Sequence, residues 1–298
     1  MIRGSLWKIP HDIDLVVGIP RSGLMVANMV ALYLNKRLSD IDSFIDGRIF
    51  DIGNSRRHMM SYTPIHKVLV VDDSICTGNS ILAAKRKLDT IVNQYEFVYF
   101  TPIITNEGLA LVDYYAEIIN EPRIFEWNLF HHCSLENACV DLDGVLCSDP
   151  PIDDDGELYT NYILNATPLF IPTAIIGTIV TCRLEKYRPQ TEQWLERQHI
   201  KYKRLIMLNL PDKQTRIKWG RHGEYKAESL IKYGGSFFIE SSLSQAQIIA
   251  EKTNRDVICI ETNALLHIEQ NPRMKRAKKH LKHYFPKSFR LAKRILHS

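Results

Sequence analysis

The sequence predicts an α/β protein made of two parallel-sheet domains and a basic helical tail. Short apolar runs that resemble buried strands alternate with helix-length segments, and the series restarts after a junction at residues 121–137. Strands that alternate with helices are typical of mostly parallel sheets. With 298 residues, the chain is long enough for two domains with separate cores.

The first domain begins with an apolar run at residues 13–20, which predicts a buried strand, and the pattern of 22–35 predicts a helix. Residues 39–63 are polar and predict a loop or a short hairpin. The series continues with a strand at 68–71, a helix at 79–88 and a strand at 97–104.

The second domain repeats this alternation from residue 138 onward. Its predicted strands are 138–141, 174–181, 205–208, 236–240 and 257–261, and its predicted helices lie near 191–198, 226–233 and 243–253. We therefore expect a domain at 1–134, a second at 135–264 and a tail at 265–298.

Composition narrows the class of protein. The chain is 45% hydrophobic and 24% charged, as in ordinary globular proteins, and no run approaches the ~20 apolar residues that cross a bilayer. The N-terminus lacks the pattern of a signal peptide. Six scattered cysteines without a Cys-x-x-Cys pair argue against a disulfide framework or a zinc site, and they fit a reducing cytoplasm.

Charge is distributed unevenly along the chain. Residues 271–298 contain ten Lys/Arg and no Asp/Glu, which leaves the remainder acidic although the whole chain carries +4. The tail places Phe285, Phe289, Ala292 and Leu296 on one helical face, a pattern that favours an anionic membrane surface. A disordered solubilising tail and nucleic-acid binding remain alternatives. No folded nucleic-acid-reading module accompanies the tail, so no nucleic-acid partner is expected.

The first motif lies at residues 68–80, which read Val-Leu-Val-Val-Asp-Asp-Ser-Ile-Cys-Thr-Gly-Asn-Ser. Main-chain N–H groups at a helix N-terminus bind phosphate, and Gly78 permits close approach. Thr77 and Ser80 add hydroxyl donors, while Asp72 and Asp73 are acceptors for sugar hydroxyls. The motif predicts a site for a phosphorylated sugar, and an ordinary βα turn is the alternative.

This motif resembles the fingerprint with which type I phosphoribosyltransferases bind 5-phosphoribosyl 1-pyrophosphate. Gly-Ile-Pro-Arg-Ser-Gly at residues 18–23 is similar to the pyrophosphate loop of that family. The resemblance implies a type I phosphoribosyltransferase-like fold and a Mg²⁺-dependent transfer that releases pyrophosphate. The donor-binding residues that it implies are Asp72, Asp73, Cys76, Thr77, Gly78, Asn79, Ser80, Arg21, Ser22 and Gly23.

The flexible loop of that family corresponds in position to residues 45–62. Arg56 and Arg57 are candidate pyrophosphate contacts there, and a solvated charge pair is an equal alternative. The general base of the transfer is left open among Asp42, Asp46, Asp51 and His58.

The second motif is Ala-Cys-Val-Asp-Leu-Asp-Gly-Val-Leu at residues 138–146, which resembles motif one of the haloacid-dehalogenase-like phosphatases. The resemblance implies that Asp141 attacks phosphorus and that Asp143 protonates the leaving alcohol and then activates water. It also implies Mg²⁺ between Asp141, the main-chain carbonyl of Asp143 and a later acid. A calcium loop fits less well, because Val145 and Cys147 stand where oxygen ligands are needed.

Later segments are similar to the other motifs of that family. Thr181 corresponds to the motif-two hydroxyl, Lys226 to the charge-balancing lysine and Glu240 to the later metal ligand, while Lys213 and Lys218 are weaker candidates for the lysine. The commoner pattern has two acids in this last motif, so one metal oxygen must come from Ser241, Ser242 or water.

Two further features bear on the substrate of this second site. The resemblance implies a haloacid-dehalogenase-like Rossmannoid domain, and because residues 148–173 between its first two motifs are few, we expect a small cap and an open site. Arg183 and Arg188 either bind substrate or begin a solvated helix.

Taken together, the motifs resemble bifunctional phosphoribosyltransferase–phosphoribosyl-phosphatases of bacterial surface-polysaccharide synthesis, such as O-antigen or capsule. The resemblance implies transfer to a lipid-linked glycan acceptor with inversion, then removal of the 5-phosphate to leave β-ribofuranose. It places the enzyme in the cytoplasm, peripheral at the inner face of the plasma membrane, with a homo-oligomer left open. The alternatives are a nucleobase phosphoribosyltransferase coupled to a nucleotidase, and a non-catalytic regulator that senses the donor.

Overall fold

A computed structural model describes residues 2–50, 64–121, 123–151 and 155–267. The chain forms two compact units, Met1–Arg123 and Ile124–Ser298. Both described cores are α/β, as the alternation of strands and helices predicted.

The first unit is organised around a sheet whose strands follow the order β2-β1-β3-β5-β4, with β6 also paired to β5. All of these pairings are parallel. Its strands are β1 (Leu15–Gly18), β2 (Arg37–Asp40), β3 (Lys67–Val71), β4 (Ser74–Ile75), β5 (Glu96–Ile104) and β6 (Tyr114–Ile118). Its helices are α1 (Ile2–Ser5), α2 (Ser22–Leu34), α3 (Ile41–Ile45) and α4 (Asn79–Leu88).

Helices cover both faces of this sheet. Val26, Ala27 and Val30 of α2 pack on one face with residues of β1, β3 and β5. Residues of α3 and α4 pack on the other face, among them Ile81 and Leu88. Because β1 and β3 are covered on both sides, their near-continuous apolar sequences are the ones expected of central parallel strands.

The second unit has a sheet of order β12-β11-β10-β7-β8-β9. Its pairings are parallel except that β12 runs antiparallel to β11. Its strands are β7 (Ala138–Val140), β8 (Ile176–Leu184), β9 (Tyr202–Leu208), β10 (Phe237–Glu240), β11 (Asp256–Cys259) and β12 (Ala264–Leu266). Its helices are α5 (Glu157–Asn165), α6 (Arg188–Arg197), α7 (Lys213–Trp219), α8 (His222–Tyr233) and α9 (Leu243–Thr253).

Helices again bury both faces of the sheet. Ala227 and Leu230 of α8 pack with α9 against one face. Trp194 of α6 and Ile163 of α5 belong to the core on the other face. Since α5 lies within the segment expected to form a small cap, part of that segment contributes to the core of the unit.

The apolar strands and the longer helices were predicted at nearly their observed bounds, and α4 spans the predicted residues. A loop or hairpin was expected over residues 39–63. The first part of this prediction was wrong, because β2 extends to Asp40 and α3 covers Ile41–Ile45. The edge strand β2 buries only Ser39 fully, so it lacks the apolar run that marks a strand. The domain boundary after residue 134 stays a prediction.

None of the helices in the described ranges is both long enough and apolar enough to cross a membrane. The basic tail from residue 268 onward lies outside the described residues, as do Arg56, Arg57, Asp51 and His58.

Candidate active sites

The loops that follow β1 and β3 meet at one edge of the first sheet. These two strands are parallel neighbours, so their carboxyl ends lie together. The Ser22 hydroxyl donates a hydrogen bond of 2.7 Å to Oδ1 of Asp73. Gly23 packs against the other acid, since a Cβ at this position would lie 2.9 Å from Oδ1 of Asp72. The structure therefore joins the two segments that the motifs had placed in one site.

Asp72 is a buried acid whose charge is poorly solvated. It is 4% exposed, and Oδ1 accepts a bond from the main-chain N–H of Asp73. Burial and the nearby charge of Asp73 raise the pKa of Asp72 to about 7. The carboxylate of Asp72 is thus poised to accept hydrogen bonds from a ligand that replaces its lost hydration.

The loop into α4 has the geometry of an anion cradle. Gly78 lies immediately before the helix with φ of 76°, and a Cβ there would come within 2.1 Å of Leu111. Only glycine meets both constraints. Thr77, Asn79 and Ser80 are exposed, while Cys76 is half-buried and its carbonyl accepts a bond from Thr105. Free N–H groups at the start of a helix favour a phosphate here.

The remaining candidates of the first unit lie apart or are paired. Arg21 is exposed at the beginning of α2 and leaves its guanidinium accessible to solvent. Asp42 forms a surface ion pair with Lys87, and Asp46 forms one with Arg48. These contacts do not favour either acid as the general base.

In the second unit, one ammonium group joins two acids. Asp141 directly follows β7 and Glu240 ends the neighbouring strand β10. Nζ of Lys226, on α8, lies 2.7 Å from Oδ2 of Asp141 and 2.7 Å from Oε2 of Glu240. Lys226 is only 2% exposed. The structure therefore brings together Asp141 of the motif at 138–146 with Lys226 and Glu240 of the later motifs. Lys213 and Lys218 have no ion pair with either of these acids among the described residues.

Burial and charge act against each other within this triad. Burial acts to lower the pKa of Lys226, but the charges of Asp141 and Glu240 outweigh it and raise the pKa. Burial also raises the pKa of Asp141, an effect that the charge of Lys226 opposes. Two carboxylates face one ammonium, so a negative charge remains that a further cation would neutralise.

The triad fits a magnesium ion in donor chemistry and in charge. Mg²⁺ prefers oxygen ligands and usually retains water or substrate oxygens, and Asp141 and Glu240 supply two carboxylates. The Ser241 hydroxyl adjoins both acids, 3.5 Å from Asp141 and 3.3 Å from Glu240. Within the described ranges no three His, Cys, Asp or Glu side chains converge on one metal position.

Asp143 lies two residues beyond Asp141 but belongs to a separate ion pair. Nε of Arg183 contacts both carboxylate oxygens of Asp143, at 3.1 and 3.0 Å, and Nη2 lies 2.6 Å from Oδ1. The side chain of Arg183 is fully buried, which excludes a solvated helix start, one of the two alternatives that the sequence left open for this residue. Tyr162 of α5 adds a hydroxyl donor at 3.1 Å.

This pairing constrains the role expected for Asp143. Burial acts to raise the pKa of Asp143, but the charge and hydrogen bonds of Arg183 hold the pKa below its usual value. Asp143 is thus a carboxylate that can accept a proton from water. It can donate a proton to a leaving alcohol only after it has itself been protonated.

Thr181 is fully buried near the end of β8. Its hydroxyl oxygen lies 3.5 Å from Oδ2 of Asp143 and accepts a bond from the main-chain N–H of Arg183. Arg188, by contrast, is paired with Glu185 and Glu192. The two arginines that the sequence left equivalent therefore have different partners.

Two charged residues near this site carried no sequence signal. Asp149 is exposed, and its pKa is raised by partial desolvation and by the charges of Asp143 and Glu240. Arg216 of α7 donates to the carbonyl of Cys182, the residue after Thr181. Neither residue lies in a recognisable motif.

Comparison with known proteins supports the interpretation of the first unit. Residues 2–131 match the family model described as phosphoribosyl transferase domain. The N-terminal part of the chain is therefore similar to a phosphoribosyltransferase domain and has an α/β fold. No curated protein matches the chain.

Several solved structures show limited similarity. Orotate phosphoribosyltransferase from Aeropyrum pernix is 22% identical with a TM-score of 0.29, and the match covers 39% of this chain and 66% of that one, just under two thirds. The xanthine-guanine-hypoxanthine phosphoribosyltransferase of Helicobacter pylori is 16% identical with a TM-score of 0.30, covering 43% of this chain and 82% of that one. A Pnkp1/Rnl/Hen1 complex is 13% identical with a TM-score of 0.33, covering 85% and 97%.

The buried acid Asp72 predicts a dependence of stability on pH. Because its pKa of about 7 exceeds the unfolded value, the folded state binds more protons between about pH 4 and 7. Stability therefore falls as the pH rises through this window. Asp72→Asn removes the ionisable group, so the variant should match the wild type at pH 4 and exceed it by a few kcal/mol at pH 8, measured by urea unfolding.

Asp14 provides a control, because its pKa is shifted in the opposite direction to that of Asp72. Burial alone would raise the pKa of Asp14, but main-chain N–H groups of Lys67 and His66 outweigh it and lower the pKa. Asp14→Asn should therefore lose stability at pH 8 relative to the wild type, and less so at pH 3. A stability difference for Asp72→Asn that is constant from pH 4 to pH 8 would contradict the assignment.

The ion pair of Arg183 and Asp143 predicts a large cost for removing one partner. Arg183→Gln leaves a mostly buried carboxylate without its cation, which should destabilise the second unit by about 3–5 kcal/mol. Arg221→Gln breaks the exposed pair with Glu228 and should cost at most about 1 kcal/mol. Urea unfolding of the full chain measures the stability change of each variant. Equal changes would show that the buried pair stabilises the protein no more than the exposed pair.

Proposed function

We propose that the chain is a bifunctional enzyme. It transfers the 5-phosphoribosyl group from 5-phosphoribosyl 1-pyrophosphate to a glycan acceptor and then removes the 5-phosphate. The observation that carries this proposal is the presence of two separate acidic sites in one chain, after β3 and after β7. The first of them lies in a domain that matches phosphoribosyl transferases.

In the first step, the start of α4 would hold the 5-phosphate, and Asp72 and Asp73 would accept hydrogen bonds from the ribose hydroxyls. The bond from C1 to pyrophosphate breaks, and the acceptor oxygen attacks from the opposite face. An α-configured donor then gives a β-ribofuranosyl product. Arg21 is placed to offset the charge of the leaving pyrophosphate, which is the main electrostatic demand of such a reaction.

In the second step, a haloacid-dehalogenase-like mechanism would use Asp141 as the nucleophile towards phosphorus. Lys226 holds the Asp141 carboxylate in place at 2.7 Å. As Asp141 attacks, the bond from phosphorus to the 5-oxygen of the ribose would break, and this oxygen would take a proton from the protonated form of Asp143. The Asp143 carboxylate, stabilised by Arg183, would then take a proton from the water that attacks the aspartyl-phosphate, which restores Asp141 and releases orthophosphate. Thr181 offers a hydroxyl to a phosphoryl oxygen. When bound, Mg²⁺ would neutralise charge on the phosphoryl oxygens, with Asp141 and Glu240 as its carboxylate ligands.

The order of the two reactions supports a saccharide acceptor. Removal of the 5-phosphate makes the addition irreversible and leaves a neutral pentose. We place the acceptor on a lipid carrier at the inner membrane face, within polysaccharide synthesis. The basis is the ten cations and the apolar stripe of the tail, which lies outside the described residues.

The two activities should be separable by mutation. Asp72→Ala combined with Asp73→Ala should abolish pyrophosphate release but preserve hydrolysis of ribose 5-phosphate, because the second site is untouched. Asp141→Asn should release pyrophosphate normally and accumulate a product that still carries phosphate. Pyrophosphate is measured by a coupled assay, and mass spectrometry of the glycan products distinguishes a plain pentose from a phosphopentose.

The choice of acceptor distinguishes this proposal from its alternatives. Nucleobases and lipid-linked glycans are offered in parallel to the wild-type enzyme. If the enzyme consumes a nucleobase and forms a nucleoside, the acceptor is a nucleobase and the proposed glycan acceptor is wrong. Binding of the donor without any pyrophosphate release would identify a sensor rather than an enzyme.

The tail should provide membrane affinity. Truncation after His267 keeps β12 and removes the basic stripe, so cosedimentation with vesicles containing phosphatidylglycerol should fall at least about tenfold. Phosphatidylcholine vesicles serve as the uncharged control. Equal vesicle binding by the truncated and full chains would show that the tail does not bind the membrane. Preferential binding of the tail to DNA would identify nucleic acid, and not the membrane, as its partner.

A further inference from the structure

Arg216 is a cation of the second unit that lacks an acidic partner. It lies on α7, and Nη1 donates a 3.2 Å hydrogen bond to the carbonyl of Cys182. Within the described parts of the chain, no carboxylate comes within ion-pair distance of its guanidinium. The guanidinium of Arg216 has five N–H donors, and the carbonyl of Cys182 accepts from one of them.

The donor nitrogen Nε of Arg216 is buried and, among the described residues, meets no hydrogen-bond acceptor. Buried donors are nearly always satisfied, and a donor left without a partner destabilises the folded state. By contrast, the other buried cations of this region are fully engaged, Arg183 by Asp143 and Lys226 by Asp141. Arg216 is therefore the cation that has capacity left for an anion.

Cys182 shows that Arg216 lies in the electrostatic field of the acidic site. Burial raises the pKa of the Cys182 thiol to about 12, and the charges of both Lys226 and Arg216 oppose this shift while Asp141 adds to it. The pKa of His222 is lowered by burial and by the same two cations. Since Cys182 follows Thr181, Arg216 stands beside the strand end where the proposed phosphatase chemistry takes place.

We propose that Arg216 binds the phosphate group of a phosphomonoester that is presented to Asp141. The guanidinium fork donates to phosphate oxygens in pairs, which suits a dianionic ester. This assignment rests on the proposed phosphatase function of the second unit. It adds a substrate-binding cation from outside the recognised motifs, at a site whose own lysine and arginine are already paired.

The test uses the full chain with Mg²⁺ and two probes, inorganic phosphate and ribose 5-phosphate. Arg216→Gln should weaken orthophosphate binding, measured by calorimetry, by about 10- to 100-fold. It should raise KM for ribose 5-phosphate by a similar factor with little change in kcat. Arg216→Lys keeps the charge but not the fork, so it should weaken binding by only a few-fold.

Arg197→Gln is the matched control. Arg197 also donates through Nη1 to a main-chain carbonyl, that of Leu164, but it is exposed on α6. Arg197→Gln should leave the orthophosphate affinity and the KM for ribose 5-phosphate within twofold of the wild-type values. Circular dichroism and unfolding midpoints verify the fold of each variant, and if Arg216→Gln does not fold, Arg216→Lys decides by its orthophosphate affinity.

The outcomes separate this inference from the function on which it rests. Wild-type hydrolysis with unchanged orthophosphate affinity in the folded Arg216 variants would overturn the role of Arg216 alone. A wild-type chain that neither binds orthophosphate nor hydrolyses ribose 5-phosphate would overturn both. A fall in kcat without a change in affinity would also overturn the binding role.

Discussion

The contact on which the second unit depends is the buried ammonium of Lys226 between two carboxylates. Ile239 pairs with Val140, so Glu240 and Asp141 end neighbouring strands side by side. Like charges at this spacing repel strongly in a poorly solvated interior. Lys226 offsets that repulsion, and its neighbours Ala227 and Leu230 anchor α8 in the core. Because Lys226 belongs to α8, the packing of this helix in the core also fixes the ammonium group that balances the two carboxylates.

Both units place their acidic residues according to the same rule of sheet topology. Parallel strands end at a common edge, and the side chains that follow central strands converge there. Ser22 contacts Asp73 because β1 and β3 are neighbours, and Lys226 can contact both Asp141 and Glu240 because β7 and β10 are neighbours. Covering both faces with helices leaves this edge as the place where a polar ligand can approach the central strands.

The same rule explains what the sequence could predict. Asp72, Asp141 and Glu240 follow or end apolar strands, so strand recognition locates them in space without knowledge of side-chain contacts. The pairing of Arg183 with Asp143 could not be predicted, because the residues are 40 positions apart and an arginine after a strand looks the same whether buried or solvated. Strand β2 escaped prediction because an edge strand needs few apolar residues. Arg216 lies on a polar helix whose docking is set by tertiary packing alone.

The distribution of charge in the second unit bears on how the proposed steps could follow one another. On the proposed function, a phosphoribosylated product differs from the final product by a dianionic group, so an unpaired cation at the site would favour it over the dephosphorylated form. Lys226 and Arg183 are neutralised by Asp141 and Asp143, so they offer little net attraction to an incoming anion. Arg216 has unused donors, and on the proposed function it would lose its contact with the substrate when the phosphate leaves. A site of this kind would bind its substrate through the group that it removes, and would then release the dephosphorylated product.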